Sequence, residues 1–249
     1  MSKTKFTKLI LFKENECEAV EKYLEEKALE GWFLEDISCG FFTFKRCKPK
    51  KCKFTVDIFE QLRAGEYRQY CEPVGWNYVA ETNKYFVFYT ENENITPIQT
   101  DEELVLQKLG KSMLVNIFAY IWVTYFIIRP IYDTFFKNEY GNEIYGNYYL
   151  FLILISIIFV ICPILDIVRT SLWYFKFKKA IKSEEEVTYP TLKQLKIKIN
   201  IFNLYLSIFL VLILCLIVGL GEKAAYIYTG LVIIAIIVYG RKIIKIITD

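Results

Sequence analysis

Five of the seven cysteines lie in the first third of the chain, where thiols could bind a metal or take part in redox chemistry. Cys47 and Cys52 are separated by four residues, and Cys39 and Cys71 could complete a set of four. Structural zinc sites use two pairs of closely spaced ligands, and only one pair here approaches that spacing. Three interpretations follow: a hairpin turn at 48–51 that places Cys47 opposite Cys52, a zinc site, or a redox pair. We favour the turn and predict no metal.

The chain contains no histidine, which excludes several common kinds of active site. Ser–His–Asp and Cys–His nucleophiles need an imidazole, as do zinc and haem sites with histidine ligands. No hydrolase, kinase or nucleotide-binding fingerprint is present, and the glycines at 219 and 221 are typical of a turn. The net charge of +3 is too small to indicate a nucleic-acid partner. We therefore expect a protein that is not an enzyme and that uses no cofactor.

Charged residues are distributed unevenly, and their distribution divides the chain into two parts. Before Lys111 charged and apolar residues mix as in a soluble domain, whereas long apolar stretches alternate with charged segments after it. This shift predicts a soluble domain at 1–95, a linker with a juxtamembrane helix at 96–111, and a transmembrane domain at 112–249.

Within 1–95, hydrophobic periodicity predicts the order strand, helix, strand, strand twice over. The first set is 9–12, 14–30, 32–38 and 41–46, and the second is 54–59, 63–72, 76–80 and 85–89. The halves align without a gap, because Gly31-Trp32 falls on Gly75-Trp76 and the aromatic residues of the last strands coincide. We expect an α+β domain of duplicated β-α-β-β units, with one antiparallel sheet and both helices on one face.

Each Gly–Trp pair has a structural and a functional interpretation. In the first, glycine ends a helix and tryptophan fills the interface between helix and sheet. In the second, aromatic residues of both halves line an apolar pocket for a small ligand. The candidate ligand-binding residues are Trp32, Trp76, Phe44 and Phe88.

Several short blocks in this region resemble the DUF2812 family. They are Leu29-Glu30-Gly31-Trp32, the strand at 41–46, the strand at 54–60, and the segment from Tyr67 to Gly75-Trp76. The resemblance covers roughly 7–91. It implies a mostly bacterial family whose members often carry C-terminal membrane helices and are often encoded beside PadR-like transcriptional regulators. The family has no established activity, so no functional residue is carried over. By topology alone, the doubled unit is similar to SHS2 or GyrI-like small-molecule-binding domains.

Four apolar stretches after residue 111 approach the roughly 20 residues that a helix needs to cross a bilayer. They predict spans at about 112–132, 148–171, 199–220 and 224–244, which together form an all-α four-helix transmembrane domain. Lysine and arginine concentrate between the second and third spans and in the tail, so the positive-inside rule places both termini in the cytoplasm. The first residues show no signal peptide, which agrees with that orientation. We expect a multi-pass protein of the cell membrane.

Two groups of residues in the transmembrane domain have candidate roles. An aromatic and basic band is expected at the inner membrane interface, as an anchor and as an attraction for anionic lipid: Trp173, Tyr174, Lys176, Lys178 and Lys179. Asp166, near the inner end of the second span, can pair with Arg169 at i,i+3. An intramembrane acid can also mark a transport pathway, but Asp166 lies too shallow, and we favour the structural pair.

These observations favour a sensor or regulator whose cytosolic domain binds a small apolar ligand or a protein. The alternatives are a transporter or its accessory subunit, a membrane enzyme acting on lipid, and a membrane-acting defence or toxin effector. The expected partners are the lipid bilayer, together with a small apolar ligand, another protein or a second copy of the chain.

Overall fold

The computed structural model describes residues 4–58, 69–82, 84–96, 98, 102–136, 146–183, 185–186, 188–218 and 222–248. The chain forms two compact units. The first comprises Met1–Leu109 and Glu186–Ile199, and the second comprises Gly110–Glu185 and Asn200–Asp249. The first unit therefore includes a charged segment, 186–199, that the sequence analysis treated as a joint between two spans.

Among its described residues, the first unit contains six strands, a short 3-10 turn and one complete helix, together with the beginnings of two longer helices. In chain order the strands, the turn and the complete helix are β1 (Lys5–Leu9), the 3-10 turn Glu14–Glu16, α1 (Cys17–Leu29), β2 (Trp32–Ser38), β3 (Phe41–Arg46), β4 (Lys53–Ile58), β5 (Asn77–Glu81) and β6 (Tyr85–Thr90). The strands form two antiparallel sheets, with orders β1-β3-β2 and β4-β6-β5. The predicted α+β class is confirmed for this unit, whereas the expected single sheet is wrong.

The two sheets share their local irregularities at aligned positions. The pairing of β2 shifts register between Leu34 and Asp36, and the pairing of β5 shifts between Tyr78 and Ala80. Strands β2 and β5 lie near each other without forming a ladder. Each sheet is completed around its own central strand, β3 or β6, and a bulge bends the edge strand that carries it, so two sheets form where one was expected.

Gly31 and Gly75 precede β2 and β5 with φ values of +80° and +99°. Glycine is favoured there because a Cβ atom is strained at such angles. At Gly31 an added Cβ would also lie 2.9 Å from the carbonyl oxygen of Cys47. The predicted helix at 63–72 lies largely outside the described residues, and its end, 69–71, is helical.

The connection from Cys47 to Cys52 differs from the expected hairpin. β3 and β4 belong to different sheets, so the segment links the sheets instead of joining paired neighbours. The amide of Cys47 donates to the Gly31 carbonyl at 3.0 Å, and that of Lys50 donates to the Ala28 carbonyl at 3.1 Å. The five cysteines of this unit that the structure describes are free thiols.

Four long helices complete the chain: α2 (Glu102–Phe136), α3 (Gly146–Ser183), α4 (Leu192–Val218) and α5 (Glu222–Thr248). Within the described residues, two stretches are long and apolar enough to cross a membrane, Glu102–Trp122 of α2 and Leu192–Val211 of α4. They overlap the first and third predicted spans. About half of the predicted span at 148–171, and a few residues at the start of the span at 224–244, lie outside the residues whose side chains the structure describes.

Candidate functional site

A cavity of about 700 Å³ lies within the first unit. One wall is the stripe of α1 and its preceding turn that faces β4, and the other walls come from β4, the start of β5, the loop after β6, the start of α2 and the segment before α4. The described lining residues are Glu14, Cys17, Glu18, Glu21, Lys22, Glu25, Lys53, Phe54, Thr55, Trp76, Ile95, Thr96, Ile98, Glu102, Val105 and Tyr189.

Two glutamates of α1 cover the outer edge of β4. Glu21 Oε1 accepts a hydrogen bond from the Val56 amide at 2.8 Å and from the Thr55 hydroxyl at 3.4 Å. One turn later, Glu25 Oε1 accepts from the Phe54 amide at 3.3 Å. Since β4 is an edge strand, these amides have no ladder partner, and carboxylates four residues apart on a helix match amides two residues apart on a strand.

The environment of α1 favours neutral forms of several titratable groups. Burial raises the pKa of the Glu21 carboxyl to about 8, and the nearby Glu18 and Glu25 charges add to the increase although the Val56 amide opposes it. Burial likewise raises the pKa of Glu25 and, strongly, that of the Cys17 thiol. The pKa of Tyr189 is raised to about 12, mainly by burial and to a smaller extent by the charge of Glu102.

Glu21→Gln should stabilise the protein above neutral pH. The unfolded carboxyl has a pKa of 4.5 and the folded one a pKa of about 8, so the folded state binds more protons across that window and wild-type stability falls as pH rises through it. Glutamine keeps an oxygen for the Val56 amide but cannot ionise. We expect the variant to gain about 1–2 kcal/mol over wild type near pH 8 and little near pH 5.

Chemical denaturation of the full-length protein in detergent at several pH values measures this gain. Glu30→Gln is the matched control, because Glu30 is an exposed glutamate just beyond the same helix, and it should follow the wild-type profile. A Glu21→Gln profile parallel to wild type at every pH would show that the Glu21 carboxyl is not held neutral by its surroundings.

The remaining cavity walls are mainly apolar. Trp76 is 3% exposed, and its indole Nε1 donates to the Thr96 carbonyl at 3.2 Å. Phe54, Ile95 and Val105 are also buried. The cavity therefore combines carboxyl groups on α1 with aromatic and aliphatic side chains opposite, which are the surfaces that an amphipathic small molecule can use.

The structure separates the four aromatic residues that the sequence suggested for ligand binding. Trp76 lines the cavity. Phe44 and Phe88 are fully buried in different sheets. Trp32 lies against Phe6, with ring centroids 4.7 Å apart, and under the Arg46 guanidinium at 4.8 Å.

The acidic wall was missed by sequence reasoning, which placed Glu18, Glu21, Glu25 and Glu26 mostly in solvent. Glu18 is indeed exposed, but Glu21 and Glu25 are half-buried against β4. The only local signal was the i,i+4 spacing of Glu21 and Glu25 on the helix. That spacing does not reveal which strand edge the helix will face.

The start of α4 belongs to the first unit through two ion pairs. Lys196 Nζ lies 2.5 Å from Glu26 Oε2, and Lys198 Nζ lies 2.5 Å from Glu16 Oε2. Leu195 is 1% exposed. These lysines were counted only as markers of membrane orientation, because a contact between positions so distant in the chain has no local signal.

In the second unit, the predicted pair of Asp166 and Arg169 forms, with 3.6 Å between Oδ1 and Nη2. Trp173 stacks on Phe177 with ring centroids 4.5 Å apart, and Tyr174 contacts Gly110. Lys176, Lys178 and Lys179 are exposed. Anchoring at a membrane interface stays a prediction for this band.

Comparison with known proteins gives one match. Residues 16–122 match the model of the DUF2812 family, described as a protein of unknown function. The match confirms the resemblance identified from the sequence, and the matched segment contains every described cavity residue except Glu14 and Tyr189. No curated protein and no solved structure matches the chain.

Proposed function

We propose that this chain, which carries a DUF2812 segment, is a non-enzymatic membrane sensor whose first unit binds a small molecule in the cavity described above. The observation that carries the proposal is that two walls of the cavity are formed by residues at, or just before, the starts of two long helices. Glu102 and Val105 belong to the beginning of α2, and Tyr189 lies three residues before α4. Within the described residues, each of these helices contains a candidate membrane span.

A ligand in such a cavity would act on the helices through their first turns. Binding shifts a conformational equilibrium only to the extent that the ligand interacts differently with the two states. If side chains at the start of α2 change position when the ligand binds, the ligand interacts differently with the two conformations. Because a helix is a rigid element, a displacement of its first turn is transmitted along its length. The ion pairs of Lys196 and Lys198 tie the start of α4 to the wall that α1 forms.

The membrane part of the proposal is a four-span domain with both termini in the cytoplasm. It is supported by large apolar side chains on the surface of α2 that are more than half exposed, namely Leu114, Val115, Phe118, Ile121 and Trp122. Such a patch is unfavourable in water and suits lipid or another apolar partner. The lysines of 176–198 fit the cytoplasmic side of this arrangement.

The first unit is also proposed to be an internal duplication. Its two sheets have equivalent strand orders, and their register shifts fall at aligned positions.

The test is a ligand screen on the full-length protein in lipid nanodiscs, followed by equilibrium binding of the hits. Thr96 is exposed and lines the cavity, so the larger side chain of Thr96→Trp should obstruct the site without disturbing the core and should abolish saturable binding. Asn94→Trp is the matched control, since Asn94 is exposed in the same loop outside the cavity lining. The proposal fails if a broad library yields no ligand, or if Thr96→Trp binds every hit as wild type does.

A further inference from the structure

Charge is distributed unequally around the cavity. Five of its described lining residues carry carboxyl groups and two carry ammonium groups. One of those, Lys53 Nζ, donates to the backbone carbonyl of Glu93 at 2.5 Å, and the other, Lys22, is exposed on the surface of α1. Both lysines oppose the rise in the pKa of Glu25, but the carboxyl groups outnumber them, and four of the five lie on α1 and the turn before it.

The carboxyl groups differ in what already binds them. Glu14 pairs with Lys84 at 3.3 Å. Glu21 and Glu25 accept backbone amides of β4. Among the residues that the structure describes, Glu18, Glu21, Glu25 and Glu102 form no ion pair. With five carboxyl groups against two ammonium groups, the lining leaves room for a further positive charge.

The aromatic side chains favour the same sign of charge. Trp76, Phe54 and Tyr189 line the cavity opposite or beside the carboxyl groups. The face of an aromatic ring attracts a cation, most strongly when water is excluded. An anion would meet the carboxylates unfavourably, and burial of any charge without a counter-charge is costly.

We propose that the ligand of this cavity is an organic cation with an apolar, aromatic or branched aliphatic body, held between the α1 carboxylates and the aromatic wall. This proposal rests on the proposed ligand-binding function and specifies its chemical class. The cation and a proton compete for the same carboxyl groups. Affinity for a cation should therefore rise as pH increases through about 8, where Glu21 ionises.

Several titratable groups besides Glu21 line the cavity around the cation site. They come from α1, β4, the start of α2 and the segment before α4, and they are Glu14, Cys17, Glu18, Lys22, Glu25, Lys53, Glu102 and Tyr189. Cys17 and Tyr189 have raised pKa values and stay neutral near pH 8, so the carboxyl groups dominate the change.

The experiment compares three probes of similar shape on the full-length protein in neutral-lipid nanodiscs: tetraphenylphosphonium, tetraphenylborate and triphenylphosphine oxide. Equilibrium dialysis with empty nanodiscs as the blank separates binding from partition into lipid. We expect saturable binding of tetraphenylphosphonium near one per chain, at least about tenfold tighter than either other probe. The double variant Glu21→Gln/Glu25→Gln should lose at least about tenfold in affinity for it, while Glu30→Gln should not.

Glutamine keeps oxygen acceptors for the β4 amides, so we expect the double variant to fold. An unchanged circular dichroism spectrum would show that it does. Tighter binding of the neutral or anionic probe, still abolished by Thr96→Trp, would overturn the cation class and leave the ligand-binding function standing. Tetraphenylphosphonium affinity that does not change with pH or in the double variant would also overturn it. Failure of all three probes and of the wider library would overturn both proposals.

Discussion

Replacing Lys198 with methionine will lower the free energy of unfolding by about 3 kcal/mol, because it removes a cation that is ion-paired with the buried Glu16 carboxylate. Glu16 is 4% exposed, and Lys198 is its ion-pair partner across 182 positions of the chain. The Lys13 amide also donates to Glu16 at 2.8 Å. Urea denaturation of the full-length protein in detergent measures the loss.

Two further variants separate the ion pair from the loss of a long side chain. Adding Glu16→Gln to Lys198→Met removes the buried negative charge and should recover most of the stability, to within about 1 kcal/mol of wild type. Lys193→Met, at an exposed position one turn earlier on α4, should change stability by less than about 0.5 kcal/mol. Equal losses in the single and double Lys198 variants would contradict the role of the pair.

Phe88→Ala is expected to destabilise the first unit by about 3–5 kcal/mol, and Phe44→Ala by a similar amount. Both side chains are fully buried, Phe88 within a cluster that includes Phe86 and Trp76, and Phe44 stacked on Phe6 at 4.8 Å. Alanine leaves a void that closely packed neighbours fill only in part. Denaturation in detergent, monitored by far-ultraviolet circular dichroism, gives the values.

Phe41→Ala is the matched control for these core variants. Phe41 begins the same strand as Phe44 but is 48% exposed, so its truncation should cost less than about 1 kcal/mol. The sequence hypothesis placed Phe44 and Phe88 in a ligand pocket. If Phe88→Ala weakens ligand binding at temperatures where it remains folded, while costing little stability, that hypothesis is correct and the structural assignment to the core is not.

Period-two and period-3.6 patterns predicted most strands of the first unit and its helix within one to three residues. The glycines at 31 and 75 also marked real left-handed turns. Such features depend on neighbours in sequence, where side-chain alternation and backbone freedom act locally. The number of sheets was not predictable in the same way, because β2 and β5 both carry a register shift whose effect on pairing depends on the strand opposite.

The cavity was only partly predictable. Trp76 was identified from its place in the repeat, but the same reasoning chose Trp32, Phe44 and Phe88, which lie elsewhere. A repeated sequence predicts equivalent local structure, whereas a cavity depends on what packs against each copy. Here the acidic stripe of α1 meets the edge of β4, and residues near 102 and 189 complete the walls. No local pattern connects positions so far apart.

Hydrogen–deuterium exchange of the full-length protein in nanodiscs, with and without saturating tetraphenylphosphonium, tests the site most directly. We predict slower exchange in peptides covering 14–25, 53–56 and 94–98, and also at 102–109 and 188–199, where the walls pass into α2 and α4. Thr96→Trp should remove these differences. Slower exchange confined to 110–185, or unchanged exchange throughout 14–109 under saturating probe, would place the ligand outside the cavity and contradict the proposed sensor.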